Sequence, residues 1–146
     1  MGSLYFSSVL FFHVFSAALS IGPFFVLVPL IRKMRISDER LLDEQLSVFR
    51  SAVRLVKHAG HVLVATGVLL MFKGYPWSTS WVVMTIVVMF ASIFFLARAF
   101  KPVLAGLSAR AGDRQALITV LNKKLWTYII LLLIMLWFMV AKPNLW

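Results

Sequence analysis

Apolar positions along this chain gather into four long blocks separated by short charged stretches, at about residues 4–31, 44–73, 81–100 and 124–141. About 20 apolar residues in a helix, rising 1.5 Å each, cover the roughly 30 Å of a bilayer's hydrocarbon. Each block therefore predicts a membrane-crossing helix. The second has a different beginning. Leu42, Leu46, Phe49 and Val53 recur at steps of three and four, as on one helix face, with charged residues between them. No Pro or Gly interrupts the chain from Ser37 to Ala59. Ser37 is the expected N-cap, with Asp38 and Glu39 in the first turn. One long helix that starts outside the apolar zone and then enters it is the simplest reading. The stretch KGYPWSTS, Lys73 to Ser80, is a tight turn in which Gly74 and Pro76 end a helix. Tyr75, Trp77 and Trp81 suit a membrane interface. A second charged connection, with Lys101, Pro102, Arg110, Gly112, Asp113 and Arg114, is expected after Phe100. The fold class expected is all-α: an integral membrane four-helix bundle forming one domain over residues 1–146.

Composition supports a bilayer setting, because 62% of the 146 residues are hydrophobic and mean hydropathy is +0.93. A soluble domain of this size has too little interior to hide so much apolar surface. The Met-Gly-Ser start has no basic n-region, so the first block is expected to be a retained span. The net charge of +10 does not point to nucleic acid, because the basic residues flank spans instead of forming a domain. Thirteen of them lie in the first and third connections, while Lys73 and Lys142 alone fall on the opposite side. That asymmetry predicts both termini outside and two basic connections in the cytoplasm, as in a multi-pass protein of a bacterial inner membrane. With no cysteine, disulfides, thiolate catalysis, iron–sulfur clusters and covalent c-type haem are excluded. All five carboxylates, Asp38, Glu39, Asp43, Glu44 and Asp113, fall in the charged connections. That placement disfavours acid–base hydrolysis and proton antiport, which want a carboxylate inside a span. Nor is there a Gly-rich phosphate loop for nucleotide chemistry.

The histidines carry the candidate chemistry. The chain has three, His13, His58 and His61, all in or beside apolar blocks. Helical rise places His13 about 14 Å below the outer end of span one and His61 about 18 Å below that of span two. His58 lies about 4–5 Å nearer the cytoplasm than His61. On span one, His13, Ser16, Ala17 and Ser20 share a small, polar stripe; on span two, Arg54, His58, His61 and Ala65 do the same. Two imidazoles at one depth on neighbouring helices suit a b-type haem, with His13 and His61 as axial ligands. Arg54, Lys57, Arg98 and Lys101 are then placed for the propionates, and His58 is a second ligand candidate or a propionate partner. The plainer alternative is a histidine hydrogen-bonded across helices to a hydroxyl, for which Ser16, Ser20, Thr66, Thr85 and Ser92 are candidates. Copper, held by His13, His61 and Met71, is a further alternative. Gly60 and Gly67 suit either close packing of a flat cofactor or contacts in a homo-oligomer.

Four spans, a histidine early in span one and the final segment VLNKKLWTYIILLLIMLWF, Val120 to Phe138, resemble the membrane-bound, haem-containing protoporphyrinogen oxidases of the HemJ type. They also resemble the membrane domains of CopD-like copper proteins. The resemblance implies a haem ligand at His13 and a basic pair corresponding to Arg98 and Lys101. The chain departs from the HemJ pattern in FSAALSIGPFF, Phe15 to Phe25, and in carrying both His58 and His61. The function expected is a membrane-embedded haem b protein for electron transfer or redox sensing, with quinone or a respiratory-chain protein as partner. The alternatives are a porphyrinogen oxidase, a copper-handling protein, and a small accessory subunit of a respiratory complex.

Overall fold

The computed structural model describes residues 2–74 and 76–146. They form four helices: α1 (Gly2–Met34), α2 (Glu39–Gly74), α3 (Ser80–Ser108) and α4 (Arg114–Ala141). All four are long and apolar enough to cross a membrane. At 1.5 Å per residue they run about 40–55 Å, longer than the roughly 30 Å of hydrocarbon. Tyr75, one of the expected interface aromatics, lies outside the described residues.

The long second helix forms as its periodicity predicts, and Leu42, Leu46 and Phe49 are buried. Its cap is one residue later than expected. The Asp38 carboxylate, not the Ser37 hydroxyl, accepts from the backbone N–H of Leu41 (2.8 Å). Ser37 instead donates to the Lys33 carbonyl (2.7 Å) and lies 3.0 Å from Gln45 Oε1, joining the end of α1 to the start of α2. The third helix overruns its expected end at residue 100 and continues to Ser108, through Pro102. Proline removes one helical hydrogen bond and crowds the preceding turn. Here Lys124 of α4 donates to the Ala99 carbonyl in that turn (2.7 Å). Beyond it, Val103, Leu104 and Leu107 are buried, so packing holds the extension. Lys101 and Pro102 are thus helical, and the connection to α4 shrinks to the residues around Gly112. Asp113 caps α4 by accepting from the Gln115 N–H (3.0 Å).

The packing is uneven. Helix α1 lies along α2, α3 lies along α4, and α1 touches α4, whereas α2 and α3 barely meet. The bundle is two hairpins joined through α1 and α4. Its densest part is the end carrying the basic connections. There Phe24, Ile31, Met34, Leu46, Phe49, Phe100, Ile118, Leu121, Leu125 and Ile129 are fully buried. Arg114, at the start of α4, donates to the carbonyls of Met34 and Ser37, the second at 2.6 Å. Met34 ends α1 and Ser37 lies just past it, so neither carbonyl has a donor from the helix. Arg35 and Gln115 exchange hydrogen bonds beside this contact (3.3 and 3.0 Å). On the opposite end, Ser80 donates to the Pro143 carbonyl (2.9 Å) and accepts from the Leu145 N–H (2.8 Å).

Candidate functional site

The buried stripe of α2 continues from Leu42, Leu46 and Phe49 to Val56, Ala59, Leu63 and Thr66. Steps of three, four and seven keep these residues on one side. His61 is five residues from Thr66, so it leaves the helix about 140° away from it. His13, by contrast, is half-buried, one turn before the buried Ser16, Ala17 and Ser20 on the same side of α1. It meets α2 on the Thr66 side: its Nδ1 lies 3.0 Å from Thr66 Oγ1. The Thr66 proton is already donated to the Val62 carbonyl (2.7 Å). With the Thr66 proton on that carbonyl, His13 is the donor of this pair in its Nδ1–H tautomer. The same ring presses on Gly67, where a Cβ would sit 3.2 Å from His13 Cε1. A glycine here lets the imidazole lie close against the helix.

His13 and His61 therefore stand on different sides of α2 and do not converge. Equal depth is a sound expectation from helical rise, but rotation about the axis separates the two rings. His13 takes the plainer role foreseen for it, a cross-helix hydrogen bond, and Thr66 is the hydroxyl it uses. The His13, His61 and Met71 of the copper alternative do not gather at one point either. Met71 is ten residues from His61, about 15 Å along the helix, and no three His, Cys, Asp or Glu side chains gather among the described residues.

The gap between α2 and α3 opens into a cleft of about 630 Å³. His61 lines it, together with Arg54 and Lys101 from the expected set. His58 and Arg98 are not among its lining residues. His58 is exposed beside His61, with ring centroids 6.3 Å apart. Arg98 turns along its own helix, its guanidinium 4.6 Å from the Phe94 ring centroid. Two further cations, Arg50 and the Lys57 already placed for a propionate, complete the lining with Arg54 and Lys101. No carboxylate lines the cleft, and none of these four cations forms an ion pair among the described residues. Apolar walls come from Met89, Ile93, Leu96, Leu132 and Met135. The hydroxyls of Ser20 and Ser92 also line it. They spend their protons on the carbonyls of Ser16 and Val88 (2.8 Å each) and offer lone pairs only. At Gly60, which lines the cleft, an added Cβ would meet nothing within 4 Å, so the backbone itself is open to an occupant.

Arg50 is recoverable from sequence, since α2 brings residues 50, 54, 57 and 61 round to one side by steps of four and three. Tyr128, which also lines the cleft, sits in an unbroken apolar run and gives no signal. Comparison with family models, curated proteins and solved structures finds no match to this chain.

Proposed function

We propose that this chain is a multi-pass membrane protein whose α2–α3 cleft holds a b-type haem, with His61 as the side-chain ligand to the iron. The observation that carries this reading is the cleft's composition: one imidazole, apolar walls and four uncompensated cations. An amphipathic molecule with a flat apolar body and carboxylates at one edge matches that arrangement. Volume agrees, because cofactor sites commonly enclose about 300–1,000 Å³. A porphyrin brings its own four nitrogens, so a single protein imidazole suffices where a bare ion would need a cage. Bound there, haem supplies one-electron redox chemistry. The chain's residues set its conditions: Arg50, Arg54, Lys57 and Lys101 neutralise carboxylates, and Leu96, Leu132 and Met135 exclude water. In this reading the cations face the cytoplasm, both termini face outward, and the membrane is a bacterial inner membrane. Electron transfer or redox sensing, with a quinone or a respiratory-chain protein as partner, is the role proposed for the haem.

The test is an absorption spectrum of detergent-purified protein, oxidised and dithionite-reduced. A Soret band and a reduced α-band are expected in the wild type and in His13→Ala, and are expected to be lost or strongly shifted in His61→Ala. His13→Ala instead lowers the melting temperature, because it removes the bond to Thr66. A band that vanishes in His13→Ala while persisting in His61→Ala would return the ligand to span one. A colourless wild type that takes up no added hemin refutes the haem reading and favours an accessory subunit whose cleft receives a partner.

A further inference from the structure

Tyr128 of α4 is 4% exposed. Its ring is gripped on three sides: by Phe24 at 4.6 Å, by Phe95 stacked at 6.2 Å, and by Phe100 edge-on at 6.1 Å between centroids. The phenol therefore has little freedom to turn. A buried tyrosine hydroxyl nearly always finds a hydrogen-bond partner. This one has none among the described residues, yet it is not sealed in as the unpaired Arg114 Nε is, so its oxygen opens onto the cleft that Tyr128 lines. Ser20 and Ser92 line the same cleft and bond their own helices, not the phenol. The contact with Phe100 also fixes the depth of Tyr128: it lies level with the turn of α3 that carries Lys101, among the cations of the cleft.

We infer that the Tyr128 hydroxyl is an anchor for the cleft's ligand and donates a hydrogen bond to a carboxylate oxygen of the bound molecule. This rests on the haem reading, in which that oxygen belongs to a propionate. The three phenylalanines aim the donor before the ligand arrives, so little ordering is needed on binding. The cations select for negative charge, and the phenol adds a directional contact to one oxygen.

Tyr128→Phe tests the assignment, because it deletes the hydroxyl and keeps the ring in its clamp. Wild-type and variant apoprotein are titrated with hemin and with hemin dimethyl ester, following the Soret band, and their apo melting curves are compared. Loss of a hydrogen bond to a charged oxygen is expected to weaken hemin binding by about tenfold or more. The neutral ester is expected to lose less than about threefold. The apo melting temperature is expected to stay the same or rise slightly. Unchanged hemin affinity would overturn the inference while leaving the haem site standing, and would mean that water satisfies the phenol. An equal loss for both ligands would also overturn it, because the ring and not the carboxylate contact would then be at fault. Failure of the wild type to bind hemin would remove the haem reading and this inference together.

Discussion

Gly60→Leu separates folding from ligand binding in one substitution. Gly60 lies mid-helix in α2, where glycine costs about 0.8–1.0 kcal/mol relative to alanine and leucine costs little. A Cβ at this position meets no atom within 4 Å, and the rest of the leucine has the cleft that Gly60 lines to extend into. The helix should therefore gain roughly 0.5–1 kcal/mol. For a chain of this size that raises the melting temperature by about 1–4 °C. The four added carbons, each comparable to a water molecule of roughly 30 Å³, take up on the order of 100 Å³ beside a cleft of about 630 Å³. They fill it one residue from His61, where the ligand must approach the helix most closely. A more stable apoprotein with hemin affinity reduced at least about tenfold is the expected result. Thermal melts in detergent and hemin titration measure the two effects separately. A stabilised variant that binds hemin as the wild type does would refute placement of the ligand in this cleft. A variant that fails to fold would refute the open face at Gly60.

Arg114→Ala leaves the carbonyls of Met34 and Ser37 without their shared donor. It should destabilise the protein by roughly 2–4 kcal/mol, with Arg114→Lys recovering only part because a single amine replaces a planar fork. A detergent melt showing no change in Arg114→Ala would mean the contact carries no stability. Sidedness is tested on this cysteine-free chain with single cysteines. Ser3→Cys is expected to react with a membrane-impermeant maleimide on intact cells, and Ala111→Cys only after permeabilisation. The reverse pattern would invert the orientation.

The helices are legible in the sequence because block length, hydropathy and the three-four periodicity of α2 are local properties. The end of α3 is not. Pro102 argues for a stop, and the residues that carry the helix past it, Lys124 and the partners of Val103 and Leu107, are close only in the fold. At the site, depth can be read along the chain, whereas rotation is easily mistaken. Seven-residue steps from Phe49 lead to Val56 and Leu63, and this spacing by itself sets the buried face of α2 on the side away from His61. The polarity of the histidines argues for the interior instead, but only the side of α2 against α1 is buried; His61 stands on an exposed side that borders the cleft. The phenol of Tyr128 is out of reach altogether. Its importance comes from what surrounds it, three rings from two other helices and an unfilled space, and none of that is written near residue 128.

The weak seam between α2 and α3 also bears on how this protein can change over time. Cohesion is concentrated along α1–α2, α3–α4 and the α1–α4 junction, so residues facing the gap are largely spared from holding the helices together. Substitutions at Val64, Ile93 or Ala97 should be tolerated far better than substitutions of equal size at Leu27 or Ile129. A sequence built this way can explore new occupants at one face while its architecture is guarded at the others.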